Sequence, residues 1–510
     1  MNRTFRHLIP FALFLIILTL ASGCAQQRSR TLTVLHTNDM HSQFLPMAAT
    51  WVPKDPKPLI GGMVALDAHV REARNTWKTT LLLDAGDIMT GTPLTKIVVE
   101  NTLGGAYVDM LNTIGYQAST IGNHEFDDGQ ENLQKILALA RYDILSANLY
   151  KEDKLVAHKP YAIYKLDGLR VGVIGLTLTE LFEMTAKKNL DGIRVLDPVA
   201  TAQKYIDDID AQTDLIILLT HMGVEEDRKL ARGTRGADVI VGGHSHSRLH
   251  KPIIENNVII VQADSKTRYL GRLSLEVAAD TVSRFDYSLI PVWVDSVRQV
   301  NPLLAERVHH YQQQIDAEYG KIIGHLASNW IRNSQSESNI GNFMADVVRH
   351  ENKTDFAVLN SGGIRKDMVA GPVKKLDIVE ILPFTNYVVT FTCSGSELLT
   401  MLKTNARASA REEPGILQVS GLRYAYKVLP WGDIEISGAQ VNGQPIEAEK
   451  IYRGATVDYV LFGQTDRYFG FTPSGKMENT NILVNDIVMD YISRNPQIDA
   501  KVEGRIVRLP

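Results

Sequence analysis

The sequence predicts an α/β protein of two domains, and three observations carry that prediction. First, five apolar runs end abruptly in Asp, Asn or His: Thr31 to His41, Leu81 to Asp87, the stretch entering Thr120 to Gly129, Leu215 to Gly223 and Val239 to His246. Short continuous apolar runs bounded by turn signals read as buried strands. Second, helical patterns lie between the runs, which points to a largely parallel sheet. Third, at 510 residues the chain is too long for one core. Its 44% hydrophobic and 22% charged residues are those of an ordinary globular protein.

In parallel sheets ligands bind beyond the carboxyl ends of the strands, so all five polar endings are expected on one rim. Asp39, Asp87, His41, His221, His244, His246 and Asn123 then converge. Any one of them reads equally well as a cap or a solvated turn residue. Five coincident endings point instead to a metal site. Carboxylate oxygen with imidazole nitrogen suits Mn, Zn, Fe or Co.

Taken in order, residues 1–24 read as a targeting segment. Arg3 and Arg6 make a basic start, and the apolar core from Phe11 to Leu20 is too short to span comfortably as a permanent helix. Ala21-Ser22-Gly23-Cys24 resembles a bacterial lipobox. Cys24 is thus expected to be the lipidated first residue, and Ala25 after it implies the outer membrane. The expected location is the cell envelope, facing periplasm or surface; a secreted soluble protein cut nearby is the alternative. Without Cys24 only Cys393 remains, which leaves no intrachain disulfide and no cysteine pair for metal. No second long apolar run follows, so attachment to the membrane is by lipid alone. Removing Arg3 and Arg6 leaves 52 basic against 58 acidic residues, a net −6, which gives no support for nonspecific nucleic-acid binding.

Residues 28–298 are expected to form the metal domain. A Pro-rich loop spans 53–58, a helix opens at Gly61-Gly62 and runs to 74, and helical pattern fills 91–115. Strands at 268–277 and 285–294 close this domain. Residues 299–320 read as a linker helix, with Pro302 at its first turn and Gly320 past its last. Residues 321–510 form a second, mixed α/β domain. Its clearer pieces are helices at 340–350, 394–404 and 483–494, a strand at 356–359 and a strand pair at 421–428 and 433–436.

The motifs carry a resemblance. Leu35-His36-Thr37-Asn38-Asp39-Met40-His41, Gly86-Asp87, Gly122-Asn123-His124-Glu125, Thr220-His221-Met222-Gly223 and Gly243-His244-Ser245-His246 resemble the calcineurin-like metallophosphoesterases. Within these they are similar to the bacterial 5′-nucleotidase/UDP-sugar hydrolase family. Asn360-Ser361-Gly362-Gly363-Ile364-Arg365 resembles that family's C-terminal substrate motif. The resemblance implies layered β-sheets flanked by helices in the first domain and two divalent ions on its rim. Asp39, His41, Asp87 and His246 would hold one ion; Asp87, Asn123, His221 and His244 would hold the other, with Asp87 bridging. Two such ions about 4 Å apart clamp the attacking and leaving oxygens of a phosphoryl displacement.

The family also places a transition-state histidine at His124, oriented by Asp127. A carboxylate partner fixes the tautomer and favours imidazolium; a hydrogen bond that merely braces the ligand loop is the alternative. Glu125, Asp128 and His36 read as structural or solvated. Asn360, Gly363, Arg365 and Asp466 are the expected substrate residues, Arg365 because its guanidinium fork matches two phosphate oxygens. The family's two base-stacking rings would fall at Ile416 and Val460, and neither is aromatic, although Tyr459 and Phe462 are near. A further phosphate-binding arginine falls at Ser334, with Arg332 close by.

The implied function is a 5′-nucleotidase that attacks phosphorus in line with a metal-bridged hydroxide. UDP-sugars, cyclic nucleotides, other phosphate esters and the sulfur–sulfur hydrolysis of one family branch are alternatives. An inert surface-binding lipoprotein is the alternative of a different class.

Overall fold

The computed structural model describes residues 29–510 apart from Thr50, Ala279, Pro414 and Ser474. The targeting segment and Cys24 lie outside the described residues. None of the described helices is long and apolar enough to cross a membrane.

The first domain has twelve principal strands. They are β1 (Arg30–Thr37), β2 (Thr80–Asp84), β3 (Ala118–Thr120), β4 (Asp143–Leu145), β5 (Tyr161–Leu166), β6 (Leu169–Thr177), β7 (Leu215–His221), β8 (Val239–Gly242), β9 (Ile253–Glu255), β10 (Val258–Val261), β11 (Tyr269–Val277) and β12 (Val282–Pro291). They form two six-stranded sheets, in the orders β12-β11-β1-β2-β3-β4 and β5-β6-β7-β8-β10-β9. In the first, β1 to β4 run parallel and β11 and β12 add antiparallel strands on one side; in the second, β6, β7, β8 and β10 run parallel and antiparallel strands close both edges.

The largely parallel sheet expected from the apolar runs is divided into two mixed sheets packed face to face, the layered sheets that the family resemblance implies. Strand periodicity shows how. In β7, Leu215, Ile217 and Leu219 enter the core between the sheets with Leu32, Val34, Leu81 and Leu83. Ile216 and Leu218 face the other way, into the layer of helices. Both faces are buried, so the run is continuously apolar, and nothing in it tells one sheet from two. Ile217 is wholly buried; Ile217→Ala would cost about 2–5 kcal/mol. The rim survives this rearrangement, with β1, β2 and β3 reaching it from one sheet and β7 and β8 from the other.

Two spans differ from expectation. Residues 91–115 hold a 3-10 turn (Pro93–Lys96) and a two-stranded ribbon (Val98–Val99 with Thr102–Leu103) before the helix Gly105–Ile114. The last strand starts at Val282 and ends at Pro291, since residues 294–296 turn as a 3-10 helix.

The long helix α1 (Pro302–Tyr319) opens at Asn301, whose side chain accepts from the Leu304 N–H. Leu304, Val308, Tyr311 and Ile315 form its apolar stripe and pack into the first domain's core. Arg307 pairs with Asp109 at 2.6 Å on the same side.

A separate core begins at Ile323. It is organised on a sheet of β13 (Phe356–Asn360), β14 (Tyr387–Ser394), β15 (Leu417–Ser420), β16 (Ile451–Val457) and β17 (Met477–Leu483), in the order β15-β13-β16-β14-β17. The helix α2 (Gly395–Ala410) begins in a Ser394/Glu397 capping box and outruns its expected end at 404. Asn405, a stop signal in sequence, is buried there; its amide donates to the Leu417 carbonyl and accepts from the Leu417 N–H. Cys393 is buried, which pushes its thiol up to about 12 and leaves it inert.

Candidate metal centre

The loops leaving β1 and β2 are zipped together by backbone. Asp39, His41 and Ser42 donate N–H bonds to the carbonyls of Gly86, Asp87 and Ile88 at 2.8–3.0 Å. The loop after β3 joins through Glu125, which is buried. Its carboxylate accepts from the N–H groups of Asp87, Ile88, Met89 and Gly122 at 2.6–3.3 Å. Sequence reading left this residue between solvated and structural, and it is the bolt between two loops. Gly122 is dictated by proximity, because a Cβ there would lie 2.2 Å from Asp87 Oδ1.

These loops bring the expected side chains together. Asp39, His41 and His246 offer ligand atoms within 4.8 Å of one another, and so do Asp87, His221 and His244. His41 Nε2 lies 3.0 Å from His246 Nε2, and His221 Nε2 lies 3.2 Å from Asp87 Oδ2. The tautomers are set from behind. His41 Nδ1 donates to the Thr90 carbonyl at 2.9 Å and His221 Nδ1 to the Ala85 carbonyl at 2.7 Å. Both Nε2 atoms are left for a cation. The His244 N–H in turn braces both oxygens of Asp39 at 3.0 Å.

Three features fit this donor set to divalent metal. Asn123 Oδ1 is buried without a hydrogen-bond partner among the described residues. Burial lowers His244 to about 4 and His246 to about 3, so both stay neutral and keep a lone pair. Finally, Asp39, His41, Asp87, His244 and His246 all have left-handed backbone, with φ between 48° and 74°. That conformation costs a non-glycine residue about 1–2 kcal/mol, and such strain gathers at functional sites.

His124 stands at the edge of this cluster: its Nε2 lies 3.9 Å from Asp87 Oδ2 and its ring 5.1 Å from that of His41, so His41, Asp87 and His124 also bring ligand atoms within 4.8 Å of one another. His124 Nδ1 donates to Asp127 Oδ2 at 2.7 Å, and Thr90 Oγ1 donates to the same oxygen at 2.6 Å. Burial opposes its charge, yet Asp87 and Asp127 together raise its pKa above the ordinary histidine value. Asp128 pairs with Lys96 at 2.8 Å. His36 is buried beneath the rim against Tyr287.

The second domain supplies the opposite wall. Asn360 ends β13, and it lines one cleft with Gly363, Phe384 and Asn386. Arg365 is half-buried, fixed by its backbone N–H to the Ile381 carbonyl at 2.8 Å. Its charge acts on His41, His124, His244 and His246, and no carboxylate among the described residues lies within ion-pair distance of it. Asp466 stands exposed on the short helix Thr465–Tyr468. Ile416 and Val460 are both buried. Tyr459 instead donates its hydroxyl to the Glu183 carbonyl of the first domain at 3.0 Å, and Phe462 is exposed.

One cation went unnoticed in the sequence. Lys266 lies on the first domain, and its backbone N–H donates to the Asp39 carbonyl at 2.9 Å. Burial, then the charges of Arg365 and Arg332, push its ammonium down to about 8. A lysine in a polar loop carries no local signal of this placement. Arg332 itself pairs with Asp367 at 3.2 Å.

Comparison with known proteins agrees with this construction. Residues 32–248 match the calcineurin-like phosphoesterase family and residues 322–472 the 5′-nucleotidase C-terminal domain. The chain is 28% identical to a 5′-nucleotidase of Vibrio vulnificus, covering 97% of each chain. It is 27% identical to the protein UshA of Escherichia coli, covering 95% of each. A crystal structure of a 5′-nucleotidase precursor from Thermus thermophilus superposes with a TM-score of 0.83 at 29% identity, over 94% of this chain and 99% of that one. The sulfate thiohydrolase SoxB of Thermus thermophilus shares the fold, with a TM-score of 0.77 at 17% identity over 94% of this chain and 96% of that one. The chain belongs to the calcineurin-like phosphoesterases that carry a 5′-nucleotidase C-terminal domain.

Proposed function

We propose that this protein is a dinuclear metal-dependent phosphohydrolase that releases phosphate from nucleoside 5′-monophosphates. The observation that carries the reading is the pair of three-residue ligand clusters, Asp39/His41/His246 and Asp87/His221/His244, with His124–Asp127 beside them. Asp39, His41, Asp87 and His246 would hold one ion, and Asp87, Asn123, His221 and His244 the other; Mn, Zn, Fe and Co all suit these donors. When bound, such ions supply Lewis acidity and make water nucleophilic near neutral pH.

The chain's own residues do the rest. Arg365 grips the phosphate with its planar fork. His124, held as imidazolium by Asp127, sets positive charge or a proton beside the transferring group. Asn360 and Gly363 border the ester, and Asp466 is assigned to the outer part of the substrate. With aliphatic residues at Ile416 and Val460, the base is held loosely, so simple esters compete with nucleotides. Anchoring is through a lipid on Cys24, at the outer membrane.

The test is phosphate release from AMP, UDP-glucose, cyclic AMP and p-nitrophenyl phosphate, with and without added Mn. Metal-stimulated release from AMP is expected. Release from none of the four esters would overturn the phosphohydrolase reading and favour an inert binding protein.

A further inference from the structure

Phe384 comes from the second domain, yet its ring touches the chemistry of the first. It stacks on His124 with centroids 5.7 Å apart and planes 28° from parallel. The guanidinium of Arg365 lies over the same ring, 5.7 Å from its centroid. The loop that carries Phe384 is pinned from the other side. Lys96 of the first domain donates to Thr385 Oγ1 at 3.1 Å and to Asp128 Oδ1 at 2.8 Å. One lysine thus ties the neighbour of Phe384 to the neighbour of Asp127.

The geometry points to Phe384 as the positioning residue that holds His124 and Arg365 at their working separation. This inference rests on the phosphohydrolase reading above. Both side chains aim at one phosphate, so they must stand close. The face of an aromatic ring carries a negative quadrupole that attracts the Arg365 guanidinium, and the same ring stacks on the His124 imidazole. The ring also fills the space a flexible side chain or water would enter. Asp127 fixes His124 through Nδ1 at one edge of the imidazole, and the stacked ring fixes the plane. Arg365, which has no carboxylate partner among the described residues, lies over the face of this ring.

The experiment compares Phe384→Leu and Phe384→Tyr in the wild-type and His124→Ala backgrounds, with AMP and saturating Mn. Wild-type turnover is measured first. If it is absent, the phosphohydrolase reading itself fails; the ratios between variants test only Phe384. Phe384→Leu should lower kcat about tenfold, in keeping with loss of one desolvated cation–π platform. That loss should shrink when His124 is already alanine, leaving only the part carried by Arg365, because non-additivity marks residues that act as a unit. Phe384→Tyr keeps the face and should stay near wild type. Calorimetry gives a readout apart from turnover, since inorganic phosphate should bind more weakly to Phe384→Leu through the loosened Arg365. If Phe384→Leu lowers the melting temperature, Phe384→Met removes the ring at similar bulk and is read in the same way. Unchanged kcat, an equal loss in both His124 backgrounds, or a Tyr variant as impaired as the Leu variant would overturn the inference.

Discussion

The metal rim and the substrate wall face each other and are built differently. On the rim, candidate ligands are braced by backbone: Asp39 by the His244 N–H, His41 by the Thr90 carbonyl, His221 by the Ala85 carbonyl, and the loops themselves by Glu125. Across the cleft, Arg365 rests on a ring, Asp466 is exposed, and the two positions expected to stack a base are buried aliphatics. Chemistry that must be placed within fractions of an ångström is tied to the main chain. The proposed substrate residues lack that main-chain bracing, so replacing them should leave the rim undisturbed.

If that contrast is right, breaking the rim should be catastrophic and altering the wall should be graded. The largest effect is expected at Asp87. Asp87→Asn keeps the shape but removes the charge that would hold two cations, and turnover should fall by several orders of magnitude, with metal content falling beside it. His124→Ala should keep its metal and lose about 10² to 10⁴-fold in kcat with little change in KM. Unchanged kcat at full metal occupancy would demote His124 to a brace for the loop. Glu125→Ala strands four buried N–H donors. It should destabilise the fold by about 3 kcal/mol or more, measured from the denaturant midpoint.

The smallest effect is expected on the wall. Base stacking on an aromatic ring is worth about 1–3 kcal/mol per base, and both expected rings are missing. AMP, GMP, CMP and UMP should therefore differ by no more than about tenfold in kcat/KM, a span of about 1.4 kcal/mol. Ile416→Phe should help purine nucleotides and leave p-nitrophenyl phosphate unchanged. A thousandfold preference of the wild type for AMP over simple esters would contradict the graded wall and direct attention to Phe462.

The same contrast explains what could be read from sequence. The convergence of these side chains was legible because each follows an apolar strand, and the fold brings the strand ends together. Helix α1 was legible because Pro302 and Gly320 punctuate it chemically. The division of five strands between two sheets was not, because β7 buries both faces and its pattern is the same either way. Glu125 and Lys266 were missed for a related reason. Their roles come from contacts with loops more than thirty residues away, and nothing in their neighbours announces them. Phe384 was missed because its partner is on the other domain.

We propose that the Asp87 carboxylate is shared between two ions on this rim. The most direct test is metal titration into the chelated protein, followed by calorimetry and by phosphate release from AMP. Two divalent ions per wild-type chain are expected, with activity that returns only as both sites fill and with loss of at least one site in Asp87→Asn. Full activity in the chelated protein, or two tightly bound ions and wild-type turnover in Asp87→Asn, would contradict the proposal.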